Sequence, residues 1–240
     1  MSMELSPAFF DLQMRFADTA AQMGHMIFEE ALLNYTNMYI RLVGYSFDPT
    51  HPVWQAYLQG LGQAPQRALW THAFYQQRRE PPVPSSYGCF RYQYHPEEDL
   101  IRYHFVNADT SGYGPLSKER MPVRLQELKR MFAQIKQRYG DTPRVRGSSW
   151  LYTLDAYKRL FPAEYTRAMK VVEKQFQRMS LWGQFLQRDG RVRESLAVSF
   201  LSRLPQQKSL EDLGHCFPYQ VLSPEGPIAL LYEFYERLPS

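Results

Sequence analysis

Arg144-Val145-Arg146-Gly147-Ser148-Ser149-Trp150-Leu151-Tyr152 reads as a strand following the helix stop at Gly140. A period of two puts Arg144, Arg146, Ser148, Trp150 and Tyr152 on one face and Val145, Gly147, Ser149 and Leu151 on the other. The first face has the chemistry of a cleft wall, the second that of packing. The same pattern also fits an edge strand whose polar side meets water while its Trp and Tyr cover an apolar neighbour. On the cleft reading, Arg146 on an interior strand needs a carboxylate partner or an anionic ligand, because unpaired burial of a charge costs several kcal/mol.

Upstream, Met121, Leu125, Leu128, Phe132, Ile135 and Tyr139 alternate steps of four and three, which predicts an amphipathic helix with Pro122 in its first true turn. Arg120, Arg124, Lys129, Arg130, Lys136 and Arg138 share that helix and its approach with Glu119 and Glu127. They read as a solvated face, so nucleic acid is not an expected partner. Further back, 87–94 and 100–107 are rich in Tyr, Phe, Ile and Val around the turn at 95–99, which predicts an antiparallel hairpin. Strand, helix and strand then imply a crossover and a parallel pair beside the hairpin.

Outside this block the periodicity is helical. A helix starts at Ser6-Pro7 and stops at Gly24, a second spans 26–43, and shorter ones follow Pro52 and Pro65. Arg79-Glu80-Pro81-Pro82-Val83-Pro84 is linker-like. Beyond Tyr152, Thr153 is positioned to cap a helix, Tyr165, Met169, Val172, Phe176 and Met179 continue a helical stripe, and Val192 to Leu204 resume it. Pro227 opens a terminal helix with Ile228, Leu231, Tyr232 and Tyr235 inward. The expectation is an α+β fold, a small mixed sheet covered by helices with a helical N-terminal layer. The 240 residues read as a single domain, 1–80 the helical layer and 81–240 the mixed-sheet part.

Composition narrows function by exclusion. A hydrophobic content of 44%, charged content of 22% and mean hydropathy of −0.48, without a long apolar run, oppose a membrane span. The first residues lack a basic region followed by an apolar block, so the cytoplasm is the expected location. Cys89 and Cys216 stand apart from any metal-ligand spacing and read as reduced thiols, and no metal is expected. A net charge of +4 is a mild excess over 24 acidic residues. Seventeen Tyr and fifteen Phe supply either core or binding surface.

The candidate crevice lies where the 100–107 and 144–152 strands end, since loops leaving parallel strands line the natural cleft. Its expected ligand-binding residues are Asn107, Gly112, Gly114, Arg146, Ser148, Trp150 and Tyr152. Gly112 and Gly114 permit exposed N–H groups before a helix start, where an anion can dock or where the chain simply turns. His104 is the candidate base: a shared face with Arg146 would favour its neutral form, the other reading being a packed, hydrogen-bonded histidine. A small anionic molecule is therefore the expected partner. A protein-interaction module with an aromatic surface is the alternative.

The segments Leu33-Asn34-Tyr35-Thr36-Asn37-Met38-Tyr39, Gly147-Ser148-Ser149-Trp150-Leu151-Tyr152, Leu181-Trp182-Gly183-Gln184-Phe185 and Cys216-Phe217-Pro218-Tyr219 resemble those of uncharacterised bacterial proteins of similar length. That resemblance implies a shared fold and brings no activity with it. The order of helices, hairpin, glycine loop, helix, strand and the Asp155-Ala156-Tyr157 helix resembles acyl-CoA-dependent N-acetyltransferases in layout. Such a likeness implies acyl-CoA as cofactor and acyl transfer as reaction. The family's pyrophosphate loop places Arg or Gln before x-x-Gly-x-Gly or Ala, whereas here Asp109 precedes Gly112 and Pro115 follows Gly114.

Overall fold

Residues 4–79, 85–172 and 176–239 are described by a computed structural model. The chain begins with helices Pro7–Gly24 (α1), Phe28–Tyr35 (α2), Met38–Leu42 (α3), Pro52–Gln63 (α4) and Arg67–Arg78 (α5). Strands Phe90–His95 (β1) and Leu100–Phe105 (β2), helix Met121–Tyr139 (α6) and strand Arg144–Gly147 (β3) follow. Next come Asp155–Lys158 (α7), Ala163–Arg167 (α8), Lys170–Val171 (β4), Met179–Trp182 (α9) and Glu194–Arg203 (α10). Leu222–Ser223 (β5), Glu225–Pro227 (β6) and Ala229–Glu236 (α11) complete the chain. Contacts divide it into two compact units, one of 4–79 with 176–219 and one of 85–172 with 220–239.

In the second unit the hairpin, the return strand β3 and the short strand β6 form one mixed sheet of order β1-β2-β3-β6. The β1-β2 and β3-β6 pairs are antiparallel and β2-β3 is parallel, with α6 making the crossover. The fold is α+β, as the periodicities predict. Register fixes which side chains share a face. Tyr94, Ile101, Val145 and Gly226 make one inward row, and Tyr92, Tyr103 and Gly147 the next. Leu128, Met131, Phe132 and Ile135 of α6 pack on that face together with Ile228, Leu231, Tyr232 and Tyr235 of the terminal helix. Phe132 stacks on Tyr235 at 5.2 Å and meets Tyr103 edge-on at 6.1 Å. Each such aliphatic or aromatic side chain contributes about 1.5–3 kcal/mol on full burial, which is why the stripe on α6 selects this face.

The quoted strand ends earlier than its alternation predicts. Ser149 pairs its backbone with Leu222 at 3.0 and 3.2 Å, but its Oγ also accepts the N–H of Leu151 at 3.1 Å. That side-chain cap starts a 3₁₀ turn over Trp150–Thr153, so the period of two stops and Tyr152 turns into the core.

The first unit departs from the sequence reading at two places. The helix expected over 26–43 breaks at Thr36 and Asn37: Thr36 Oγ1 donates to Leu32 O and accepts the N–H of Met38, while Asn37 N–H donates to Gln13 Oε1 of α1 at 3.1 Å. A distant glutamine thus satisfies the donor that helix continuation would have used. The segment 176–219, placed with the sheet by the sequence reading, clusters with the N-terminal helices instead. Phe176, Trp182, Phe200 and Phe217 surround Phe16 of α1 with ring centroids 5.2–5.5 Å away. The helical stripe expected over 165–179 ends at Arg167, because Lys170 and Val171 pair with Ser223 and Leu222. Most of the proline linker, 80–84, lies outside the described residues.

Candidate functional site

The outward face of the sheet is polar, and register sets its rows. Gln93, Arg102, Arg146 and Glu225 lie side by side across all four strands. One step toward the C-terminal ends of β2 and β3, Arg91 pairs with His104, and one step back His95, a buried Leu100, Arg144 and Pro227 align. His104 and Arg146 therefore share a face, as expected, and His104 is exposed. Arg146 has its carboxylate: Nε lies 2.5 Å from Glu225 Oε2 and Nη1 3.9 Å from Glu98 Oε2. Arg144 holds the other oxygen of Glu225 at 2.8 Å, and Arg102 holds Glu98 at 2.7 Å. Two adjacent guanidiniums thus share the turn residue Glu98 as counter-charge, each about a third accessible at 28% and 33%. The Arg102 Nε is buried without a hydrogen-bond partner among the described residues.

Asn107 and the loop with Gly112 and Gly114 lie beyond β2 and are exposed. Gly112 needs its residue type, with φ of 91° in the left-handed half of the map. The loop is organised around Asp109, whose side chain is buried. Ser111 donates to it from N–H at 2.8 Å and Oγ at 2.5 Å, Arg120 from Nε at 2.6 Å, and Arg124 lies 3.1 Å away. Burial alone would raise its pKa, yet these donors hold the carboxyl well below the usual carboxylate range. The position expected for an external anion, beside the loop and the start of α6, thus holds the chain's own carboxylate.

Arg124 corrects the solvated-face reading of α6. It is buried, 2.8 Å from Glu127 Oε1 and bonded to Cys89 Sγ, with Glu127 also accepting the Cys89 N–H at 3.1 Å. Burial pushes the Glu127 carboxyl and the Cys89 thiol upward, against the opposing pull of Arg124. The signal was present in the sequence: 124, 127, 128, 131 and 135 recur at three and four, so Arg124 and Glu127 border the apolar stripe.

Tyr152 also stands elsewhere than expected. It belongs to the inward core at 1% exposure, its hydroxyl against that of Tyr103, and both crowd the space a Cβ on Gly147 would take. Tyr165 Oη accepts the Gly147 N–H at 2.9 Å and lies 3.2 Å from Pro224 O. Burial first, then neighbouring phenols, pushes Tyr103 and Tyr152 well above the ordinary tyrosine range. Trp150 is 8% exposed and Ser148 half-buried. The structure therefore gathers His104 and Arg146 on one face, leaves Asn107, Gly112 and Gly114 on an exposed loop, and takes Tyr152 into the core.

A concavity in the helical unit, of about 520 Å³, was not read from the sequence. Gln187, Arg193, Glu194, Ser195, Leu196 and Tyr219 line it at the start of α10. Among the described residues no helix is long and apolar enough to cross a membrane, and no group of three or more His, Cys, Asp or Glu side chains is placed to hold a metal. Fold and site together define an α+β protein whose sheet turns a basic, arginine-paired face outward. Compared with known proteins, the chain matches no family model, no curated protein and no solved structure.

Proposed function

We propose that the protein binds a small anionic molecule on the outward face of its four-stranded sheet, where the strands β2 and β3 end, with Arg102, Arg146 and His104 as the recognising side chains. The observation that carries this reading is the in-register pair of Arg102 and Arg146, each about a third accessible and sharing one exposed turn carboxylate. Like charges on neighbouring strands oppose each other, and an oxyanion bridging both guanidiniums relieves that repulsion. Asn107 and Ser148 follow the ends of β2 and β3, where their side chains would offer further hydrogen-bonding groups. Asp109 already collects the donors around the glycine loop, which favours a plain anion site on the sheet over a pyrophosphate cradle at Gly112 and Gly114. Acyl transfer with His104 as base is the catalytic form of the same reading.

Titration of the full chain with pyrophosphate, followed by calorimetry at low and moderate salt, tests it. Saturable binding should weaken about tenfold in Arg102→Gln, the loss expected for one charge-assisted contact. Binding that is absent, or unchanged in Arg102→Gln, removes the site.

A further inference from the structure

The two edges of the four-stranded sheet are built differently. β6 is three residues long and ends on Pro227, which has no N–H to offer, so that edge is short and blunted. β1, at the other edge, is six residues long, with no proline, no lysine and no charge among its inward residues Phe90, Tyr92 and Tyr94. Along an antiparallel ladder the backbone groups of successive residues point to alternate sides. The Cys89 carbonyl accepts the Val106 N–H at 2.8 Å, so positions 89, 91, 93 and 95 bond toward β2 while 90, 92 and 94 face away from it.

Part of that outer edge is already used. The Phe90 N–H donates to Tyr87 O at 3.1 Å, and Phe90 O accepts the Ser85 hydroxyl. Tyr92 and Tyr94 remain: among the described residues no hydrogen bond reaches the outward N–H or C=O of either. Their rings pack half-buried on the core, Tyr94 4.4 Å and Tyr92 6.2 Å from the Tyr139 ring, and carry its apolar surface out to the edge.

We propose that β1 pairs antiparallel with β1 of a second copy of this chain, joining two four-stranded sheets into one of eight strands. A single register bonds both open residues and keeps the two inward faces together: Gln93 opposite the partner's Gln93. Tyr92 and the partner's Tyr94 then exchange backbone hydrogen bonds, as do Tyr94 and the partner's Tyr92. The side chains fit the same register. On the inward face it makes a cross-strand tyrosine pair on each side of the twofold axis. On the outward face the two exposed Gln93 amides meet, each with a donor and an acceptor for the other. Arg91, at the start of one strand, runs toward the acidic turn Glu97-Glu98-Asp99 that follows the other. A strand basic at its start and acidic past its end matches itself only when antiparallel, and this self-complementarity singles out a second copy over an unrelated strand. The inference does not rest on anion binding at the outward face.

Sedimentation velocity of the full chain, from micromolar to millimolar concentration, tests it. A reversible conversion from the 28.3 kDa monomer to a dimer is expected. Gln93→Lys sets two like charges face to face at an exposed position and should weaken the dimer about fivefold, whereas mixing Gln93→Lys with Gln93→Glu should restore it. In Gln93→Cys the two thiols face each other at a non-hydrogen-bonded pair, about 4.5 Å apart at Cα and within disulfide reach, so mild oxidation should give a covalent dimer that reduction releases. A chain monomeric at every concentration, a dimer that Gln93→Lys leaves unchanged, or a Gln93→Cys dimer that oxidation does not lock each overturns the proposal. If Gln93→Lys does not fold, as judged by circular dichroism, the Gln93→Cys result decides.

Discussion

Arg146 and Tyr152, six residues apart in one segment, lie on opposite sides of the sheet: the guanidinium reaches Glu225 on the outward face while the phenol abuts Gly147 and Tyr103 on the inward one. An ideal strand would have kept them together. The Ser149 cap separates them, and with them the two kinds of chemistry that the segment carries.

Gly147 is the position where that separation is most constrained. A methyl group there overlaps the Tyr152 hydroxyl and lies 2.6 Å from the Tyr103 hydroxyl. Gly147→Ala should destabilise by about 1–3 kcal/mol, the usual cost of overpacking a closed core. Urea unfolding measures it, and a change under 0.5 kcal/mol would contradict the packing described.

Glu98 is the internal competitor of any oxyanion bound at Arg102 and Arg146, and it is 47% exposed. Glu98→Gln should tighten pyrophosphate binding about three- to tenfold with little change in melting temperature, since an exposed ion pair is worth about 0–1 kcal/mol. Weaker binding in that variant would mean that Glu98 assists the anion rather than occupying its place.

Asp109→Asn should cost about 3–5 kcal/mol at neutral pH, because Arg120 and the buried Arg124 lose a charged partner. The folded carboxyl titrates below its unfolded value of about 3.9, so its contribution is full above that pH and falls away on acidification. Glu127, raised by burial, runs the opposite way, its protonation relieving a cost. The stability gap between wild type and Asp109→Asn should therefore narrow below about pH 4. A gap independent of pH would show that Asp109 is not the titrating anchor.

Tyr103, Tyr152, Tyr157, Tyr165 and Tyr235 are buried and all pushed well above the ordinary tyrosine range, by burial first. Folded values raised in this sense confer stability that is full below about pH 10 and is lost as pH climbs toward them. Spectroscopic titration of the 17 tyrosines should show an early phase from exposed phenols and a late one that coincides with loss of circular dichroism. A single phase near pH 10 with the fold intact would refute the buried cluster.

Much of the fold was legible because it rests on local period. The α6 stripe, the hairpin around 95–99 and the inward set Ile228, Leu231, Tyr232 and Tyr235 each follow from spacing alone. His104 and Arg146 could be placed on one face by counting along two neighbouring strands. Counting failed where a side chain from far away supplied the hydrogen bond, as Gln13 does at Asn37, or where a short-range cap outbid the strand, as at Ser149. The burial of Arg124 was half-visible, in its position beside the stripe.

By itself the sequence determined the first helix, the hairpin, the α6 helix and the terminal helix, the α+β class, and the parallel placement of β3 beside the hairpin, since side-chain periodicity and turn residues act within a few positions of the chain. Tertiary structure decided the rest: that 176–219 joins the N-terminal helices around Phe16, that Asp109 draws Arg124 of α6 and Arg120 just before it, and that Glu225 and Glu98 neutralise the outward arginines. Those choices depend on charge pairing and aromatic burial between residues distant in sequence, and no local pattern specifies which distant partner a charge or a ring will meet.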